Sequence, residues 1–200
     1  MSQSEAIDTI PYRGYNILIM PDNCDDSPRE WDNLGKMVCF HRRYNLGDEN
    51  DLKTSDFTSW DDLEKYLVKE MGAVVILPLY LYDHSGLAMS VGSFIGRAQH
   101  AEWDSGQVGF IYATKKDILD CYGGKKLSPK KKARTADVLE GEVETYSQYL
   151  NGEVYGFIIE SGELPEPDET SCWGFYGDPE KSGLLADAKA NIDAVLGKTP

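Results

Sequence analysis

The sequence predicts an α+β fold: a single domain over residues 11–200, mainly an antiparallel β-sheet of five to seven strands with three or four helices packed on one side, after a flexible segment at residues 1–10. Three observations lead there. Short apolar runs rich in β-branched residues alternate with turns through the first half of the chain, as antiparallel pairing requires. Pro129 to Leu150 carries apolar residues at steps of three and four, the period of an amphipathic helix. The 200 residues are 41% hydrophobic and contain no long linker, so they can bury one sizeable core.

Tyr15 to Met20, closed by Pro21, and Lys36 to His41 read as strands. Between them Asp22-Asn23-Cys24-Asp25-Asp26-Ser27-Pro28 has the chemistry of a turn. Ser59 is placed to cap a helix with Asp61 and Asp62 in its first turn; Leu63, Tyr66, Leu67 and Met71 form its apolar stripe, and Gly72 stops it. Ala73 to Tyr82 follows as a buried strand, because Val74, Val75 and Ile76 suit a sheet. The turn Asp83-His84-Ser85-Gly86 leads into a strand from Leu87 to Phe94, and Gln107 to Thr114 is the next. Lys115 to Cys121 is a short helix ended by Gly123-Gly124, and Ser128-Pro129 opens the long one. Glu153 to Ile159 and Ser171 to Tyr176 close the sheet, joined by the acidic loop Gly162 to Thr170, and a terminal helix runs from about Glu180 to Leu196.

Charge is the strongest functional signal. The chain has 20 Lys and Arg against 34 Asp and Glu, a formal net charge of -14. From Asp137 to Glu180 there are 12 acidic residues and no Lys or Arg, whereas Lys115 to Arg134 holds eight basic residues and two acids. That balance opposes direct binding to nucleic acid or to an anionic membrane, and favours a basic protein surface as partner. No apolar run approaches the roughly 20 residues that span a bilayer, and Met1 to Ile10 lacks the pattern of a secretory leader. Cys24, Cys39, Cys121 and Cys172 form no Cys-x-x-Cys pair, which predicts an intracellular, reduced chain without a structural metal or cofactor.

On the long helix Asp137, Glu140 and Glu144 fall within about 60° of one flank, with Glu142 on the other. These four carboxylates occupy about 10 Å of helix, close to the charge density of one DNA strand. With Glu153 they are the candidate partner-binding residues. Lys125 to Arg134 breaks a local rule, because Lys130, Lys131 and Lys132 stand in a first helical turn, where the macrodipole disfavours cations by about 0.3–1 kcal/mol each. The run is a solvated helix end with no partner, a contact for the acidic flank of a second subunit in a homodimer, or a weak contact for nucleic acid.

Catalytic motifs are sparse. A calcium loop starting at Asp22 would need Gly and Glu where Ser27 and Asn33 stand. Gly-x-Ser-x-Gly and phosphate-loop patterns are absent. One composite remains: His84 as a base oriented by Asp104, with Asp83 beside it, since both lie at strand ends able to converge. That is the hydrolase or nuclease alternative. Trp173, Phe175 and Tyr176, with Tyr155-Gly156-Phe157, read as core aromatics or as an exposed groove.

Five segments also resemble a family of small accessory proteins carried by bacteriophages, prophages and plasmids: Pro28-Arg29-Glu30-Trp31-Asp32-Asn33-Leu34-Gly35, Leu81-Tyr82-Asp83-His84-Ser85-Gly86, Trp103-Asp104-Ser105-Gly106-Gln107-Val108-Gly109-Phe110-Ile111-Tyr112, Gly141-Glu142-Val143-Glu144-Thr145-Tyr146 and Ser171-Cys172-Trp173-Gly174-Phe175-Tyr176-Gly177. The resemblance implies a mobile-element gene acting in the cytoplasm of a bacterial host, and assigns no catalytic residue. By analogy with compact acidic proteins of such elements, the expected function is non-catalytic inhibition of a restriction, CRISPR or DNA-processing protein through an acidic, DNA-like surface. A structural or scaffold role in a phage is the further alternative.

Overall fold

The computed structural model describes residues 6–23 and 26–198. The fold is α+β with antiparallel sheets, as expected, but the described residues form eight strands in two sheets of four, and five helices. Two compact units result: one from the described residues up to Asp26 together with those from Gly152 onward, the other from Ser27–Asn151.

In the first unit the strand order is β1 (Asp8–Tyr12), β2 (Tyr15–Pro21), β7 (Val154–Glu160), β8 (Ser171–Tyr176). β1 lies where the sequence suggested a flexible lead-in; Asp8 to Ile10 pair with Ile19 to Ile17, and Met1 to Glu5 lie outside the described residues. Pro11 disguised the strand, yet an edge strand tolerates a residue without a backbone donor. The hairpin turns on Arg13 and Gly14, both at positive φ, which suits the right-handed twist of the flanking strands. Helix α5 (Leu184–Lys198) buries Leu184, Leu185, Ala188 and Ile192 against Tyr15, Ile17, Ile19, Phe157 and Ile159. Gly156 leaves room for the Trp173 ring: a Cβ there would stand 2.3 Å from it. The Cys172 carbonyl oxygen would be 2.8 Å away as well, so both the ring and the paired strand have to shift, and Gly156→Ala is expected to cost about 3 kcal/mol in urea unfolding.

The second unit orders its strands β3 (Lys36–Cys39), β6 (Ser105–Thr114), β4 (Ala73–Asp83), β5 (Leu87–Ser90). Helices cover both faces, not one. Leu139, Val143 and Tyr146 of α4 (Pro129–Leu150) and Ile118 of α3 (Lys115–Tyr122) pack with Met37, Leu79 and Ile111. Leu63 and Leu67 of α1 (Trp60–Lys69) pack with Val38, Phe110 and Tyr112. Adjacent residues of one strand therefore serve opposite cores, and the unbroken apolar run of β6 reflects burial on both faces. Ser59 caps α1 by accepting the Asp62 N–H, as its position predicts. A short helix α2 (Ala101–Asp104), which no periodicity marked, precedes β6. No helix among the described residues is long and apolar enough to cross a membrane.

The cysteines are free among the described residues, and Cys24 lies outside them. Burial, reinforced by the negative charge of Asp48, pushes the Cys39 thiol up to about 12. At mildly alkaline pH iodoacetamide should alkylate exposed Cys121 and spare Cys39 until the chain is unfolded, as mass spectrometry of the labelled peptides would show.

Candidate functional site

The predicted acidic residues separate into three environments. Asp137, Glu140 and Glu144 are exposed on α4, and no Lys, Arg or His among the described residues pairs with them. Glu142 turns inward. Its carboxylate accepts from Arg29 Nη1 at 3.1 Å and from the Leu34 N–H at 2.8 Å, with the Gly35 N–H at 3.1 Å. Asp48 takes the Nε and Nη2 edge of the same guanidinium at 2.7 and 3.0 Å, and the Gly35 carbonyl accepts from Nη2 at 2.7 Å. The Arg29 side chain is only 4% exposed. Burial opposes its charge, but hydrogen bonds and attraction from Asp48 and Glu142 outweigh that and raise its pKa. Glu142 therefore belongs to an internal network and not to the solvent face. Glu153 precedes β7, half-buried in the other compact unit, where its carbonyl accepts the Gly177 N–H.

The basic run has a structural explanation in part. Ser128 caps α4 through the Lys131 N–H, and the Lys131 ammonium reaches back to the Gly123 carbonyl at the end of α3. Arg134 lies over the Tyr122 ring, 5.0 Å from its centroid. Carbonyls at the end of one helix thus offset a cation at the start of the next, which single-helix rules do not anticipate. Lys130 and Lys132 remain exposed.

His84 and Asp104 do converge. β4 ends at Asp83, the turn places His84 beyond it, and Asp104 closes α2 where β6 begins; His84 Nδ1 and Asp104 Oδ2 are 2.8 Å apart. His84 and His100 come together here, although their sequence positions gave no hint of it, and Asp104 also borders the cleft that His41 lines. The His100 ring is 5.8 Å from His84 between centroids, and His41 lines the adjoining cleft. Asp83 serves a different purpose: it pairs with Arg43 and lies within 3.4 Å of the Tyr44 hydroxyl, fixing the segment that follows β3. The cleft has a volume of about 330 Å³ and is bounded also by Trp103 and Gln107. Trp103 is 87% exposed, the most open large hydrophobic side chain among the described residues. Of the three non-glycine residues at positive φ among those described, Ser85 and His100 flank this pair.

No group of three or more His, Cys, Asp or Glu among the described residues is arranged to hold a metal. Asp22, first residue of the rejected calcium loop, accepts the Gly174 N–H at 3.0 Å, and Asp25 lies outside the described residues. The aromatic segments divide: Phe157 is fully buried, while Trp173 is partly exposed.

Comparison with protein-family models, with curated proteins and with solved structures finds no match.

Proposed function

We propose that this chain is a mobile-element accessory protein that binds a basic surface of a host defence or DNA-processing protein, without turnover, in the cytoplasm of a bacterial host. The observation that carries this reading is the row of Asp137, Glu140 and Glu144, solvent-facing on one flank of α4 and paired with no cation among the described residues. Unpaired carboxylates retain their full field for an incoming cationic surface, which raises association rates and orients the encounter. With Glu142 withdrawn, the face carries three charges over the stretch that would need four for DNA-like spacing, so general electrostatic complementarity is the better description. The exposed Lys130 and Lys132 stand at the other end of the same helix, a polarity that suits a partner with charges of both signs or a second copy of this chain.

The double variant Glu140→Lys with Glu144→Lys is expected to weaken binding to the captured partner at least tenfold at low salt, and added salt should weaken the wild type in the same way. Equal affinity of variant and wild type by calorimetry would refute the assignment of the face.

The 2.8 Å contact between His84 and Asp104 favours a second reading, acid–base catalysis. A carboxylate on Nδ1 places the ring proton there and leaves Nε2 with a lone pair, the arrangement of a general base.

A further inference from the structure

We infer that the outer edge of β8 docks an extended segment of a partner protein, apolar at its centre and flanked by Lys or Arg, which adds a further strand to the first sheet. The surface is distinct from the acidic face of α4 and goes beyond it. Two sheets present four edges, and an open edge is a template for further pairing. Among the described residues three of the four are closed. At the β3 edge the Met37 N–H goes to Asp48 Oδ2 at 2.8 Å, the Met37 carbonyl accepts the Asp48 N–H at 3.1 Å, and Val38 bridges to Gly47. At the β5 edge the Met89 N–H goes to Ser147 Oγ of α4 at 2.9 Å. At the β1 edge Pro11 has no N–H to offer, and the Asp8 carboxylate accepts the Thr9 N–H at 2.7 Å.

β8 carries none of these devices. Ser171-Cys172-Trp173-Gly174-Phe175-Tyr176 contains no Pro and no charged residue, in a chain that is 27% charged. β7 pairs with one side of it. The bond from the Ile159 N–H to the Thr170 carbonyl fixes which side, because strand alternation then turns the N–H groups of Ser171 and Trp173 away from β7. Both residues are exposed, and a Cβ placed on Gly174 would meet nothing within 4 Å. Cys172 and Phe175 pack toward the core beneath α5, whereas the Trp173 ring lies over Gly156 and stays 39% exposed. An added strand would therefore find outward main-chain donors and an indole against which its own side chains pack.

Charge selects the occupant. Glu163, Glu166, Asp168 and Glu169 precede β8, Asp178 and Glu180 follow it, and no Lys or Arg stands from Asp137 to Glu180. Lys181 reaches one of these acids, Asp178, at 3.8 Å. A second copy of this chain fits the edge poorly. Antiparallel self-pairing about Trp173 sets Asp168 across from Asp178 and Glu166 across from Glu180, and parallel pairing in register sets each acid beside its own copy. Like charges facing one another across a ladder are destabilising. A strand with Lys or Arg on either side of an apolar centre turns each of those repulsions into an attraction, while main-chain bonds to Ser171 and Trp173 supply affinity and register.

Backbone NMR of the isotope-labelled full chain, titrated with synthetic peptides, tests this. The peptide Lys-Lys-Thr-Val-Thr-Val-Thr-Lys-Lys should shift the Ser171 and Trp173 amides and slow their hydrogen exchange, and added salt should weaken it. The same peptide N-methylated across its central residues, and the same peptide with Glu in place of each Lys, should each bind about tenfold more weakly or worse. Ser171→Pro, which removes one outward N–H, should lower the affinity for the basic peptide with the circular dichroism spectrum unchanged. Equal affinity for the N-methylated peptide would overturn strand addition, and equal affinity for the Glu-flanked peptide would overturn the charge assigned to the occupant. Absence of any change at Ser171 and Trp173 with the basic peptide in large excess would overturn the site. A dimer of the free chain in sedimentation, with those two amides protected from exchange, would give the edge to a second copy and overturn the proposal as well.

Discussion

Glu142→Ala is expected to lower stability by about 3–5 kcal/mol, because removing one partner of a buried charge network leaves the rest uncompensated. Arg29 would keep Asp48 and the Gly35 carbonyl but lose the Glu142 carboxylate, and the Leu34 and Gly35 N–H groups would lose their acceptor. Against the 5–15 kcal/mol typical of whole domains, that is a large fraction. Glu142→Gln should fall between, since an amide oxygen still accepts the two N–H groups while the charge is gone. Urea unfolding followed by circular dichroism measures both. A midpoint unchanged in Glu142→Ala would mean that Glu142 is a surface carboxylate after all. The same variant should leave partner binding intact wherever the protein remains folded, in contrast to Glu140 and Glu144.

Gly109→Ala is expected to cost more than about 4 kcal/mol, in the extreme range for point substitutions. A Cβ at that position would stand 1.9 Å from the Val38 carbonyl oxygen and 2.9 Å from the Cys39 Cα. Both are backbone atoms of the paired strand β3, so no rotamer change relieves the clash and the β3–β6 ladder has to open. The adjoining bond from the Phe40 N–H to the Val108 carbonyl, 2.7 Å, would go with it. Soluble protein with wild-type thermal stability would contradict the register. At Gly156 the nearest obstacle is the Trp173 ring and the backbone contact, to the Cys172 carbonyl oxygen, is 2.8 Å and not 1.9 Å, so the expected penalty is smaller.

Local signals read well wherever local physics decides. The Ser59 and Ser128 caps, the amphipathic stripe of α4 and the β4–β5 hairpin around His84 follow from residue type and spacing. What sequence could not supply was pairing at a distance. Glu142 reads as one more acidic residue on a helix until the fold sets Arg29 beside it, 113 positions away. The approach of His84 to Asp104 and His100 is likewise a property of the tertiary fold, and no spacing rule encodes it. β1 was masked by Pro11, and the short α2 is below the length at which periodicity shows. Of the five segments that carry the resemblance, Ser171 to Gly177 forms β8 and its end in the first unit, and the other four meet in pairs. Pro28 to Gly35 and Gly141 to Tyr146 meet in the Arg29 network, whereas Leu81 to Gly86 and Trp103 to Tyr112 meet at the cleft.

Affinity capture from a bacterial lysate at low salt, with the wild type and an Asp137→Lys, Glu140→Lys, Glu144→Lys variant run side by side and read by mass spectrometry, tests the proposed function most directly. The account predicts a basic nucleic-acid-processing or defence protein held by the wild type, released by salt and missing from the variant. Retention of the same partner by the folded variant would contradict it.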